Sequence, residues 1–162
     1  MNTKHLYKSP IGEIQFECSE THLKQMTFVS EQNKDAFTTE PYTALAKKIM
    51  RSLEDYFLKK QTFPFIPLEL QGTSFQKAVW KLLSNIPLGE SKTYAEIAAL
   101  YGNPRGVRAV GTALGKNPVL IVLPCHRVLG SYGALTGYAG GLEKKRWLLE
   151  HEGYPIQKTL AL

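Results

Sequence analysis

The sequence predicts a mixed α/β (α+β) protein, a small antiparallel sheet with one helix followed by a mostly helical half. Three observations carry this. Apolar and polar residues alternate within 4–29, apolar residues recur at helical spacing within 42–57, and two Thr-x-x-Gln/Glu signatures open short helices after position 72.

The elements follow in order. Glu13 to Cys18 alternates, with Ile14, Phe16 and Cys18 on one face, and predicts a strand. Ser9-Pro10-Ile11-Gly12 and Ser19-Glu20-Thr21 bracket it as turns. Leu23 to Val29 and Lys4 to Lys8 supply two more strands, and the polar stretch Ser30 to Glu40 is expected to be a loop. Tyr42, Leu45, Ala46, Ile49, Leu53, Tyr56 and Phe57 lie on one face of an amphipathic helix. Lys59 to Gly72, with Pro64 and Pro67, suits a linker, so the domains are expected at 1–68 and 69–162.

The second half begins with a capping box at Thr73 to Gln76, and its helix turns Val79, Leu82, Leu83 and Ile86 to one side. Pro87-Leu88-Gly89 ends it. A second box at Thr93 to Glu96 opens a short helix that Gly102 can close. Pro104 suits the first position of the next helix, which runs through Val107, Val110, Ala113 and Leu114 to about Gly115. Two short helices joined by a tight turn predict a helix-turn-helix. The second is rich in small residues (Gly106, Ala109, Gly111, Thr112, Ala113) and carries Arg105 and Arg108 near its start, where a recognition helix meets DNA. Val119 to Leu123 is a buried strand or core segment that delivers Pro124-Cys125-His126-Arg127-Val128. Glycines at 130, 133, 137, 140 and 141 follow, and then a final helix over about Leu142 to Glu152.

Composition limits the function. The 162 residues are 43% hydrophobic and 21% charged, which is globular. No window approaches the roughly 18 apolar residues of a membrane span, so no membrane partner is expected. The N-terminal residues have no apolar signal core, and a cytoplasmic location is expected. Two cysteines exclude a disulfide scaffold and a four-cysteine zinc site. Residues 1–68 hold nine basic and eight acidic residues, and 69–162 hold eleven and six. The positive excess therefore sits in the second half and points to a polyanion, usually nucleic acid.

Cys125 is the candidate nucleophile. It follows a proline and is flanked by His126 and Arg127, neighbours that favour a thiolate. Cys18 lies on an apolar strand face and fits a structural role. Adjacent Cys and His side chains diverge in any regular backbone, so a direct pair would need His5, His22 or His151, and a bridging water could link Cys125 to His126. A carboxylate on the far side of the ring could come from Glu143, Glu150 or Glu152, and spacing does not choose among them.

At this point the second half resembles the O6-alkylguanine-DNA alkyltransferases (methylated-DNA–protein-cysteine methyltransferases). The matching runs are Gly72-Thr73-Ser74-Phe75-Gln76 with Val79-Trp80, Ile86-Pro87-Leu88-Gly89, Thr93-Tyr94 with Ile97-Ala98, Arg108-Ala109-Val110-Gly111, Asn117-Pro118, Pro124-Cys125-His126-Arg127-Val128 and Gly137-Tyr138-Ala139-Gly140-Gly141. They run in unbroken order over about 70–153. The resemblance implies a ribonuclease-H-like N-terminal domain and a winged helix-turn-helix domain carrying the reactive cysteine. It also implies repair of double-stranded DNA containing O6-alkylguanine, with O4-alkylthymine as a secondary lesion. The alkyl group would pass irreversibly to Cys125 after the base is flipped out, with no cofactor, in a monomer.

Roles follow by the same resemblance. Cys125 accepts the alkyl group, His126 takes its proton through a water, and Glu152 orients His126. Asn117 braces the turn before the cysteine, and Tyr94 protonates the leaving base and meets the 3′ phosphate. Arg108 fills the vacated stack, while Ala109 and Arg105 meet DNA beside it. Backbone groups at Cys125, Val128 and Ala139 read the base, and Tyr138 packs on it. Two departures stand out. Val107 replaces the smaller residue usual before the arginine. The first half offers only Cys18, His5 and His22 as soft ligands, so no metal is expected. A lesion-binding relative would lack the cysteine, a sequence-reading regulator leaves Pro124 to Val128 without purpose, and a cysteine hydrolase needs a Cys-His geometry that adjacent residues do not give.

Overall fold

The structure, a computed structural model, describes residues 1–32, 36–38 and 42–156. The chain forms two compact units, Met1–Leu70 and Gln71–Leu162.

In the first unit β1 (Thr3–Ser9), β2 (Gly12–Cys18) and β3 (Leu23–Phe28) form an antiparallel meander in the order β1-β2-β3. Ser9 pairs with Gly12, which fixes the register, and Gly12 takes φ 125, open to glycine but not to a side chain. With that register Ile14, Phe16 and Cys18 all point inward and are at most 1% exposed. The helix α1 (Ala44–Lys59) starts two residues later than Tyr42, because the Thr43 side chain accepts the Ala46 N–H and caps it. Its buried Leu45, Ile49, Leu53, Tyr56 and Phe57 pack on the sheet, with Phe57 stacked on Tyr7 at 5.9 Å.

Within the polar stretch Ser30 to Glu40, positions 33–35, 39 and 40 lie outside the described residues, and the rest form neither helix nor strand. The expected linker is part of the fold. Ile66 is buried, Leu68 bridges Leu23 in parallel, and the Glu69 N–H donates to the Leu23 carbonyl.

The second unit contains α2 (Ser74–Leu83), β4 (Lys92–Thr93), α3 (Tyr94–Tyr101), α4 (Val107–Gly115), β5 (Val128–Leu129) and α5 (Leu142–His151). Both capping boxes are present, at Thr73 and Thr93, with both reciprocal hydrogen bonds. Gly102 closes α3 at φ 102. The α2 helix stops at Leu83, so Ile86 reaches the core from the following turn.

One further expectation is corrected. Pro104 does not open α4. The Gly106 N–H donates to the Asn103 carbonyl, closing a turn over Pro104 and Arg105, and α4 begins at Val107 with Gly106 as its cap. Of the two readings open for Val119 to Leu123, buried strand or core segment, the structure has the core segment, which turns over 120–122 with Val119, Leu120, Ile121 and Leu123 buried.

Helices α2, α3 and α4 share one core, with Val79, Leu83, Ile97, Ala98, Val110 and Ala113 buried. Trp80 fixes α2 on α4, its indole N–H donating to the Ala113 carbonyl at 2.8 Å. A Cβ at Gly72 would lie 2.7 Å from that indole ring, so only glycine fits there. The parallel pair β4–β5 brings Lys92 opposite Val128 and so places the start of α3 beside the segment that follows Cys125. Among the described residues, no helix is long and apolar enough to cross a membrane.

Candidate active site

The turn before Cys125 is built from side-chain and backbone hydrogen bonds in place of a ladder. Asn117 donates through Nδ2 to the Leu123 carbonyl at 2.8 Å and accepts the Val119 N–H on Oδ1 at 2.9 Å. A carboxamide suits this position because it offers a donor and an acceptor together. Inside the turn the Val122 N–H donates to the Leu120 carbonyl, wrapping tightly round Ile121 at φ 73. A β-branched residue there carries strain, on the order of 1–3 kcal/mol, that the surrounding bonds must hold. A second tight turn follows round Pro124, where the Cys125 N–H donates to the Leu123 carbonyl at 2.8 Å. The absent strand is thereby explained: Pro118 and Pro124 cannot donate to a ladder, and the Asn117 side chain meets the backbone groups between them.

Cys125 to Arg127 form one 3-10 turn. Successive side chains there diverge by about 120°. Cys125 thus lines a cavity while His126 points inward and is fully buried. The His126 Nε2–H donates to Glu152 Oε2 at 2.7 Å. Arg127 Nε donates to Glu152 Oε1 at 2.8 Å, and Arg127 Nη1 donates to the Ile86 carbonyl at 2.6 Å. Of the three carboxylates open to the sequence, Glu143 is exposed and Glu150 faces Arg146 at 3.8 Å on the surface. Glu152, just beyond α5, is the one that meets the ring.

The electrostatics are ordered. Burial alone would raise the Glu152 carboxyl, but hydrogen bonds and charge from His126 and Arg127 overcome it and hold the group at about 2. Burial pushes the His126 imidazole down against the pull of Glu152, so it rests neutral. With Nε2–H committed to the carboxylate, Nδ1 carries the lone pair, and it has no protein partner among the described residues. Burial raises the Cys125 thiol, opposed by a hydrogen bond from Asn117 and by the charge of Lys145. The resting site is therefore a thiol beside a neutral base, and not a preformed ion pair.

The cavity measures about 290 Å³, at the small end of ligand sites and roomy enough for one nucleobase. Gly111, Leu114 and Gly115 of α4 form one side, and Gly137, Tyr138 and Ala139 form another. Tyr94 stands at its edge, its hydroxyl donating to the Thr136 carbonyl at 3.0 Å. The smallness of α4 is not required by packing. A Cβ at Gly111 would meet only Tyr94, at 3.9 Å, and one at Gly115 would meet nothing within 4 Å. These glycines leave the cavity open.

Of the expected site residues, the structure brings Cys125, Tyr94, Tyr138 and Ala139 to one cavity, with His126, Glu152 and Asn117 directly behind. Val128 lies outside the lining. It is fully buried, and its carbonyl accepts from Lys145. Arg105, Arg108 and Ala109 are exposed on the turn and first turn of α4. Sequence reasoning missed Lys145 and the Arg127 fork. Their signals were present, because Lys145 shares a helical face with Leu148 and Leu149, and Arg127 completes the Cys-His-Arg run. Cys18 is buried in the other unit, 3.9 Å from the Thr3 hydroxyl, and burial raises its thiol. Among the described residues no group of three or more His, Cys, Asp or Glu is placed to hold a metal ion.

A helix-turn-helix unit with Arg108 exposed on its second helix and Arg105 on the turn before it, and a thiol on a base-sized cavity beside a buried His–Glu pair, fits the class of nucleic-acid-directed proteins with a candidate reactive cysteine. Comparison with known proteins agrees. The family profile for 6-O-methylguanine DNA methyltransferase, DNA binding domain, matches residues 74–154, and that for its ribonuclease-like domain matches residues 2–70. The chain is 43% identical to the methylated-DNA–protein-cysteine methyltransferase of Methanosarcina mazei over 150 residues, 91% of this chain and 95% of that one. It is 40% identical to the Haemophilus influenzae protein of the same name, over 92% of this chain and 85% of that one. Among solved structures, the Mycobacterium tuberculosis O6-methylguanine methyltransferase superposes with a TM-score of 0.84 at 39% identity over the full length of both chains. A Mycobacterium tuberculosis OGT structure in complex with DNA gives 0.84 at 38% identity, covering 98% of this chain and 99% of that one. The chain belongs to the methylated-DNA–protein-cysteine methyltransferase family.

Proposed function

We propose that this protein repairs O6-alkylguanine in double-stranded DNA by moving the alkyl group onto its own Cys125. The observation that carries this is the placement of Cys125 on a base-sized cavity with the buried His126–Glu152 pair behind it. O6 lies within the base stack, so the nucleotide is extruded into the cavity at a cost of roughly a few kcal/mol. Arg108, exposed at the start of α4, inserts where the base was, with Ala109 against the backbone. Arg105 and the other cations of the second half meet phosphates.

In the cavity Tyr138 packs on the base, and backbone groups of Cys125, Val128 and Ala139 read its edge. The Cys125 proton passes through a water to Nδ1 of His126, and the ionised Glu152 stabilises the imidazolium. The thiolate sulfur attacks the alkyl carbon. An S–C bond forms, the C–O6 bond breaks, and its electron pair returns to the guanine ring. Tyr94 exchanges the Thr136 carbonyl for guanine N3 and donates its proton there, and the imidazolium proton restores the phenol through solvent. The products are neutral guanine and a thioether. A thioether offers water no carbonyl to attack, so each chain reacts once. The reaction needs one copy of the chain and no cofactor.

The test is to incubate the protein with excess duplex containing O6-methylguanine and weigh it intact. A gain of one methyl group per chain, with no further product, is expected. Binding without gain would make the protein a lesion sensor, and product beyond one per chain would refute the single-turnover step.

A further inference from the structure

Lys145 is a buried cation that the transfer chemistry above does not use. It lies on α5, is 0% exposed, and forms no ion pair with a carboxylate among the described residues. An unpaired ammonium is costly to bury, and a leucine would suit this face of α5 as Leu148 and Leu149 do. Its three N–H donors all go to backbone carbonyls: Val128 at 2.7 Å, Thr136 at 2.7 Å and Gly137 at 3.1 Å. Val128 belongs to β5, next to the Cys125 turn, and Gly137 lines the cavity. The Thr136 carbonyl also accepts from the Tyr94 hydroxyl. Among the described residues, Lys145 and Tyr94 are the only protein partners of the Thr136 and Gly137 carbonyls, and this segment has no strand or helix of its own.

We propose that Lys145 is a positioning residue for alkyl transfer: its ammonium pins the Thr136–Gly137 wall to Val128 and so aims both the cavity wall and the Tyr94 hydroxyl at the base. The proposal rests on the transfer reading above. A neutral amine has fewer donors and no charge, so it holds three carbonyls poorly.

This role has a signature that plain structural support lacks. Burial lowers the Lys145 ammonium from 10.5 to about 8. Facing it are Cys125 and His126 from the 3-10 turn, Tyr94 from α3 with its ring centroid 5.8 Å from Nζ, and Tyr138 from the cavity wall beyond Gly137. Between about 8 and 10.5 the unfolded chain binds the Lys145 proton and the folded chain does not. Stability governed by Lys145 therefore rises with pH in that window. The transfer rate, if it needs the pinned wall, falls there instead.

The experiment compares single-turnover transfer at saturating O6-methylguanine duplex for wild type, Lys145→Met and Lys145→Arg, from about neutrality to about pH 10. Unfolding is followed alongside by tryptophan fluorescence. Lys145→Met is expected to be about tenfold slower near neutrality with unchanged DNA affinity, and the gap is expected to close as the wild-type ammonium deprotonates. Lys145→Arg stays charged, so it recovers much of the rate and keeps it above about pH 8. A Lys145→Met rate equal to wild type near neutrality, or a deficit constant across the range, overturns the proposal. If Lys145→Met fails to fold, the arginine variant decides: a folded Lys145→Arg that falls with pH as wild type does overturns it. A wild-type protein that transfers nothing at any pH overturns the transfer reading itself, a separate result.

Discussion

Replacing Glu152 with glutamine removes one charge from the buried His126–Glu152–Arg127 cluster and changes little else. The carboxyl is held at about 2 against an ordinary 4.5, and its side chain is fully buried, so solvent screening does not reduce the effect. A difference of that size is worth about 3 kcal/mol at 1.36 kcal/mol per unit. Because the folded-state value is the lower one, this contribution is complete above about 4.5 and is lost as pH falls toward about 2. Glu152→Gln cannot make it at any pH. The stability gap between wild type and variant is thus expected to shrink by about 3 kcal/mol between about pH 5 and about pH 2. Any pH-independent remainder reports imperfect packing of the amide. Both tryptophans, Trp80 and Trp147, lie in the second unit, so urea unfolding followed by their fluorescence reads the unit that contains the site. Transfer at neutral pH should fall by about a hundredfold, the usual scale of a lost general-base system. A stability gap that stays constant from about pH 5 to about pH 2 would refute the assignment of Glu152 as the ionised member.

Two further outcomes separate the thiol from the DNA contacts. Cys125→Ser is expected to abolish transfer, since an alcohol supplies almost no alkoxide near neutrality, whereas Cys18→Ser retains it; the labelled peptide after digestion identifies the acceptor. Arg108→Ala should slow transfer from duplex O6-methylguanine at saturating DNA by at least tenfold, while the reaction with free O6-benzylguanine, which needs no extrusion, changes little. Arg108→Lys should rescue only partly, because lysine lacks the planar stacking group; full rescue would reduce Arg108 to a phosphate contact.

Much of the fold was legible because short-range rules decide it. Strand alternation at Ile14, Phe16 and Cys18, and the boxes at Thr73 and Thr93, depend on neighbours within a few residues. The departures arose where turn hydrogen bonds, which residue type alone does not reveal, claim the backbone. By residue type Val119 to Leu123 is open as strand or core segment, and it is the core segment because the Asn117 side chain takes the Val119 N–H and the Leu123 carbonyl while Pro118 and Pro124 bar a ladder. Pro104 has the right residue type for a helix start, but the Asn103–Gly106 turn claims it. In the site, Cys125 and His126 stood out by type alone. The choice of Glu152 over Glu143 and Glu150 needed the packing of α5, and so did the burial of Lys145.

Glu152 occupies an unfavourable place for an anion. It is buried, and it follows the C-terminus of α5, where the helix dipole is negative. Both effects would return its proton, and a neutral carboxylic acid could not stabilise an imidazolium. The Arg127 guanidinium opposes them, holding Oε1 and Oε2 through two of its nitrogens. The same fork spends Nη1 on the Ile86 carbonyl, in the turn after α2. Arg127 therefore joins His126 in keeping the carboxylate charged and at the same time ties it to the helix-turn-helix core that Trp80 fixes on α4. The arginine of the Cys-His-Arg run accordingly acts through Glu152 and not on the neighbouring thiol, although adjacency in the sequence suggests the opposite. Lysine at 127 would keep the charge but could not bind a carboxylate through two nitrogens while still reaching Ile86, and the imidazole would lose its fixed tautomer along with its partner.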